Sequence, residues 1–197
     1  MAVRDEYSIE LRNASEKAAA FCVAPAAPHA LAWRTGQVPA GGRVECSWAA
    51  EYAFFYSVTG KLRPGSAVAP RGIVPVPASG ARMRFGWSGG AFSLRPAGDA
   101  SPGVLAIEQE TSIPPEVASI GVAIDGLPAV AVQAQPAIET QFVIHPVYWL
   151  GLSRTPIEPG VVADESAFFA VARIEFGGTS RRVVVTMSAE GRLVVRA

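Results

Sequence analysis

The sequence predicts one all-β domain over residues 1–197, an antiparallel β-sandwich, with a β-barrel as the alternative. Short runs of alternating apolar and polar residues recur along the chain, and turn-forming residues separate them. The 16 prolines and 19 glycines interrupt every run that is long enough for a sizeable helix. No linker divides the sequence, and no repeat of fixed period is visible.

The N-terminal third of the chain predicts strands. Residues 7–12 and 43–48 alternate between apolar and polar side chains, as half-buried strands do. Between them, Ser15 is a suitable cap for one or two helical turns over residues 15–20. In residues 52–56 three aromatic rings share one face of a strand. We interpret this face as the core side of a central strand, and a stacking platform for sugars or lipid headgroups is the alternative.

Two hairpins are predicted in the middle of the chain. Residues 82–87 and 91–95 flank a turn at residues 88–90. Residues 119–124 and 130–133 flank an Asp-Gly turn, whose two residue types tolerate positive φ. Farther on, residues 168–176, 182–188 and 193–196 predict a meander of three strands.

The charge balance argues against nucleic acid as a partner. The chain has 17 basic and 17 acidic residues, so no basic excess exists to neutralise phosphates. A net charge of zero also removes the repulsion that keeps copies apart, which permits self-association. No signal peptide and no apolar run of about 18 residues is present, so we expect a cytoplasmic protein, with non-classical export as the alternative.

Patterns that carry catalytic or metal chemistry are weak. Residues 86–90 match G-x-S-x-G around Ser88, and Asp125 and His145 follow in the chain order of α/β-hydrolases. That motif needs a strand-to-helix turn, whereas a hairpin accounts for the same residues. We therefore expect no enzyme, and since metal and phosphate motifs are missing we expect no cofactor and no metal.

Two cysteines and four ring-bearing residues complete the candidates. Cys22 and Cys46 are predicted to be reduced core residues, with a disulfide only in an exported protein. The candidate ligand-binding residues are Trp33, His145, Tyr148 and Trp149. Such amphipathic rings suit a pocket rim, because they offer contact area and a hydrogen bond. Alternatively, the Tyr hydroxyl and the Trp N–H groups satisfy buried backbone groups.

Two segments carry a family resemblance. The first contains Trp48, Tyr52, Phe54, Tyr56, Ser57, Thr59, Gly60, Leu62, Pro64 and Gly65. The second contains residues 132–136, then Phe142, His145, Pro146, Tyr148 and Trp149. With similar residues near Tyr7 and Trp33, the chain resembles the rhizosphere-induced RhiA-like proteins over about residues 6–152. A polar residue is expected after Pro136, where this chain has Ala137.

The resemblance implies a small bacterial protein without a signal peptide. It also implies expression under population-density control and association with a host or a surface, and it brings no catalytic residues. Two functions are therefore expected. The first is a structural or interaction module that self-assembles with copies of itself into an oligomer or a filament, and the alternative is a module that binds glycans or a membrane surface.

Overall fold

The computed structural model describes residues 6–76, 80–177 and 180–196, and the regular secondary structure of these residues is almost entirely β-strand. Besides one short 3-10 helix at Glu165–Ala167, they form sixteen strands. The strands are β1 (Glu6–Asn13), β2 (Ala19–Pro25), β3 (Arg34–Val38), β4 (Arg43–Ala49), β5 (Tyr52–Ser57), β6 (Arg71–Pro75), β7 (Ala81–Ser88), β8 (Ala91–Asp99), β9 (Val104–Gln109), β10 (Ser119–Ile124), β11 (Leu127–Gln133), β12 (Glu139–Val143), β13 (Val147–Ser153), β14 (Ala170–Glu175), β15 (Arg182–Met187) and β16 (Leu193–Arg196).

The strands form four sheets of four strands each, and none of these sheets closes into a barrel. The prediction of an all-β, sandwich-like fold is therefore confirmed. Contacts between residues group the chain into two compact units, unit 1 (residues 1–50 and 146–197) and unit 2 (residues 51–145). The expectation of one domain over residues 1–197 stays a prediction.

Unit 1 contains the sheets β16-β15-β1-β4 and β14-β13-β2-β3. Its pairs are antiparallel except for β1 and β15, which run parallel. Aromatic rings from both sheets fill the space between them, since Tyr7 and Trp48 contact Phe176 and Tyr148. This ring cluster is the core of unit 1, and its members are at most 8% exposed.

Unit 2 contains the sheets β11-β10-β5-β6 and β12-β9-β7-β8. Again one central pair, β7 and β9, is parallel. Side chains from both sheets form one apolar core, in which Phe54 and Phe85 are almost fully buried. Tyr52 and Tyr56 pack against this core from the same strand as Phe54, so the core interpretation of these three rings is confirmed.

Both predicted hairpins are present, β7 with β8 and β10 with β11. The prediction of a three-stranded C-terminal meander is wrong. β15 and β16 form a hairpin, but β14 pairs with β13 in the other sheet. Residues 15–17 form a bend rather than helical turns, because β2 already begins at Ala19 and its residues are buried as a strand.

Candidate functional site

Two of the four candidate residues lie in the core of unit 1. Trp33 is 1% exposed and Tyr148 is 2% exposed. Their rings stack at 5.8 Å, and Trp48 packs edge-on against both, at 5.1 and 5.0 Å. Burial raises the pKa of Tyr148 to about 12. These two rings therefore build the sandwich and present no face to a ligand.

The other two candidates are accessible. Trp149 is half-buried on β13, and its neighbours Tyr148 and Leu150 point into the core, so its ring lies on the outer face of the sheet. Phe168 packs edge-on against Trp149 at 5.2 Å. The same Phe168 ring covers Gly151, where a Cβ would lie 2.4 Å from it. His145 is exposed and belongs to unit 2.

Ser88 is the last residue of β7 and pairs with Ala91 across the turn of Gly89 and Gly90. Both glycines have positive φ, 59° and 82°, which a tight hairpin turn requires. Ser88 is thus placed on a hairpin and not on a strand-to-helix turn.

Both cysteines are free thiols in the structure. Cys22 lies in β2 and Cys46 in β4, which belong to different sheets of unit 1. Burial raises the pKa of Cys22 to about 12, and burial also raises the pKa of Cys46. Neither thiol is therefore activated as a nucleophile.

A cleft of about 970 Å³ opens at one end of unit 1. The loop of residues 14–19 forms one wall, and Phe169, Met187 and Gly191 contribute apolar surface. The guanidinium of Arg154 lies 6.0 Å from the Phe169 ring centroid. Phe169 thus contributes an exposed apolar surface to this end of unit 1.

Two edge strands of unit 1 carry exposed apolar side chains near this cleft. β14 and β16 are the outer strands of their sheets, and they lie against each other. The exposed side chains are Phe169 at 44%, which directly precedes β14, Val171 at 55%, Val194 at 48% and Val195 at 38%. We call these four residues the apolar edge. Among the described strands β16 forms backbone pairs only with β15, and β14 contacts it without pairing.

The sheet that ends in β16 is otherwise polar on its outer face. Glu10 on β1 accepts hydrogen bonds from Arg12 at 2.7 Å and from Arg182 at 2.6 Å. The hydrogen bonds from Arg12 and Arg182 hold the pKa of Glu10 at about 2. Glu10, Arg12 and Arg182 are paired with one another, so this part of the face differs in character from the apolar edge.

Sequence reasoning missed the apolar edge. Residues 168–176 and 193–196 were identified as strands, but the outer position of β14 and β16 depends on distant partner strands. The run of apolar residues at 193–195 is itself the signal, since a strand with apolar residues at successive positions has to bury both faces or leave one exposed.

Among the residues that the structure describes, no helical segment could span a lipid bilayer. The family model described as RhiA matches residues 4–197, which extends beyond the segments that carry the resemblance. Protein RhiA of Rhizobium leguminosarum bv. viciae is 27% identical over 154 residues, which cover 74% of this chain and 67% of that protein. No solved structure matches the chain significantly.

Proposed function

The chain belongs to the RhiA family, and from this premise we propose that it is a non-enzymatic structural protein that assembles with copies of itself. The apolar edge is the observation that carries the proposal. An outer strand has a row of backbone N–H and C=O groups available for pairing, and natural proteins usually protect such edges with charges or proline. On β16 the exposed side chains beside this row are the two valines of the apolar edge and, at the end of the strand, Arg196.

A second copy of the chain is the partner that this surface fits. Two β16 strands can pair antiparallel about a two-fold axis, which buries the same valines on both copies. The net charge of zero adds no long-range repulsion to oppose this contact. Nucleic acid has no role in this proposal, and the cytoplasm is the proposed location, with non-classical export as the alternative.

The test is the mass of the protein in solution, measured by light scattering coupled to size exclusion over a wide concentration range. We expect a mass above that of the 20.6 kDa monomer, which grows with concentration. The variant Val194→Lys should remain monomeric, because a charge on the edge strand opposes pairing. Val117→Lys is the matched control, since Val117 is an exposed valine in a loop of unit 2.

A wild-type protein that stays monomeric at every concentration would refute the proposal. Equal loss of association in Val194→Lys and Val117→Lys would show that the apolar edge has no special role. The far-UV circular dichroism spectra of the three proteins should coincide, which confirms that the substitutions leave the sheets intact.

A second function, binding of glycans or a membrane surface, is favoured by the Trp149–Phe168 pair on the outer face of its sheet. Trp149 offers a partly accessible indole, and Arg173 on the neighbouring strand has a side chain that is 70% exposed. An aromatic ring beside a cation suits a sugar ring or an anionic headgroup. In a glycan array and a liposome sedimentation assay, Trp149→Ala should lose binding. Equal binding by wild type and variant would exclude this site.

A further inference from the structure

The two units share one pattern of strand pairing. The first sheet of unit 1 runs β16-β15-β1-β4 with a parallel centre, and a sheet of unit 2 runs β8-β7-β9-β12 with a parallel centre. The remaining sheets run β14-β13-β2-β3 and β6-β5-β10-β11, and all their pairs are antiparallel. A shift of eight strand numbers therefore converts every pairing of one unit into a pairing of the other.

The residue register agrees with this shift. In the pair β1–β4, Ile9 lies opposite Cys46, and in the pair β9–β12, Leu105 lies opposite Phe142. Each residue of the second pair follows its counterpart by 96 positions, and the same offset holds along the whole β9–β12 pair. A chance likeness between two sandwiches would not require a common offset in both strands.

Hydrogen bonds outside the sheets repeat as well. Asn13 ends β1, and its N–H donates to the carbonyl of Gly42 over 2.9 Å. Gln109 ends β9, and its N–H donates to the carbonyl of Ile138 over 2.8 Å. The offset is again 96 in donor and acceptor, and both polar side chains are buried, Asn13 at 2% and Gln109 at 5% exposure.

The loops after β5 and β13 share a third feature, a hydrogen bond between a serine and the threonine two residues later. The N–H of Thr59 donates to the hydroxyl of Ser57 over 3.2 Å, and the N–H of Thr155 donates to the hydroxyl of Ser153 over 3.1 Å. In both loops the two hydroxyl oxygens lie 3.3 Å apart. Both serine–threonine pairs belong to the sequence pattern Tyr-x-x-x-x-Ser-x-Thr, and a Pro-Gly turn follows each of them.

We propose that the chain is an internal duplication, with β1–β8 as the first repeat and β9–β16 as the second, whose repeats have exchanged halves. The strands β1–β4 complete unit 1 with β13–β16 of the second repeat. The strands β9–β12 complete unit 2 with β5–β8 of the first repeat. This is the connectivity of a domain-swapped dimer contained in a single chain.

Because of this exchange, a second copy of the chain can supply the strands that each sandwich needs. This inference rests on the proposed self-assembly. Each sandwich needs one half of each repeat. The second repeat of one copy can therefore pair with the first repeat of another copy through the native contacts. Two copies then close a dimer, and contacts that do not close produce an open chain of copies.

Residues 100–103 are the covalent link between the repeats, and their length decides which pairing one chain can make. Asp99 and Leu105 both lie opposite Ala81, on the two sides of β7. The link therefore crosses two strand spacings, about 10 Å. Deletion of residues 100–103 leaves two Cα–Cα steps between Asp99 and Leu105, at most about 7 Å.

The deletion variant tests the exchange. Without residues 100–103 we expect the two repeats of one chain to be unable to pair with each other, so that the mass measured by light scattering doubles at low concentration while the far-UV spectrum is unchanged. A control variant with six Gly and Ser residues inserted in the same link should stay monomeric. Both variants also carry Val194→Lys, so association through the apolar edge does not contribute and the two proposals fail separately.

A second measurement keeps the test decisive where the deletion variant does not fold. A protease site is inserted in residues 100–103 of the full chain, the folded protein is cleaved, and the two halves are separated in urea. Under conditions in which the uncut chain refolds, only the mixed halves should regain the native mass and spectrum. Mixed halves that do not recover, or a folded monomeric deletion variant, would each overturn the proposal.

Discussion

Replacement of Trp33 by alanine distinguishes a core role from a ligand-binding role for this ring. Trp33 is 1% exposed and contacts the rings of Trp48 and Tyr148 at 5.1 and 5.8 Å. Loss of a buried tryptophan leaves a cavity and removes these contacts, which costs about 3–5 kcal/mol. With a urea dependence of about 2 kcal/mol per molar, the unfolding midpoint of unit 1 should fall by roughly 2 M.

The assay is urea unfolding followed by far-UV circular dichroism, with Trp149→Ala as the matched control. Trp149 is half-buried and has one ring partner, Phe168, so its replacement should cost about 1 kcal/mol. A ligand-binding ring at the surface would cost only about 0.5–1 kcal/mol when replaced. Equal midpoints for Trp33→Ala and wild type, or for Trp33→Ala and Trp149→Ala, would refute the core assignment.

Two further predictions concern titratable groups. In the folded protein the pKa of Glu10 is about 2, below its usual value of 4.5, because Arg12, and to a lesser extent Arg182, donates hydrogen bonds to its carboxylate. The ionised form therefore stabilises the fold above pH 4.5. This contribution is lost as the pH falls towards 2. Glu10→Gln should flatten the acid side of a pH series of unfolding free energies, and a curve with the wild-type slope would contradict this. Burial raises the pKa of Cys22 to about 12, so at pH 8 iodoacetamide should alkylate Cys22 only after unfolding, and peptide mass spectrometry that finds rapid labelling of the native protein would contradict its burial.

Local patterns in the sequence predicted the elements whose partners are close in the chain. The hairpin turns at Gly89-Gly90 and Asp125-Gly126 lie where turn chemistry indicated, because positive φ restricts the residue types that fit. The three rings of β5 were also assigned to the core correctly. These inferences need only alternation and turn residues.

Partners far apart in the chain were beyond such reasoning. Alternation says that residues 170–175 form a strand, but it does not say that β14 pairs with β13 rather than with β15. The parallel pairs β1–β15 and β7–β9 leave no local pattern either. The duplication is not visible in the sequence because its repeats share few identical residues. The strand pairing is nevertheless preserved, since backbone hydrogen bonds form whichever side chains are present.

The candidate site shows the same limit. Trp33 and Tyr148 look like ligand-binding rings in the sequence, yet both rings fill the core of unit 1. Exposure of a ring is decided by the second sheet, which the sequence does not reveal. Trp149 and His145 are the candidates that remain accessible. The Phe168 ring can pack beside Trp149 because position 151 is a glycine, which no motif had indicated.

The division of unit 1 between the two ends of the chain has a consequence for synthesis. Residues 6–49 leave the ribosome first, but β13 begins only at residue 147, about 100 residues later. At about 5–20 residues per second, β1–β4 wait roughly 5–20 s for the strands that cover their apolar face. The continuous unit 2 can fold during this time, so the first strands made are among the last to be completed, and nascent chains on neighbouring ribosomes have the opportunity to complete one another.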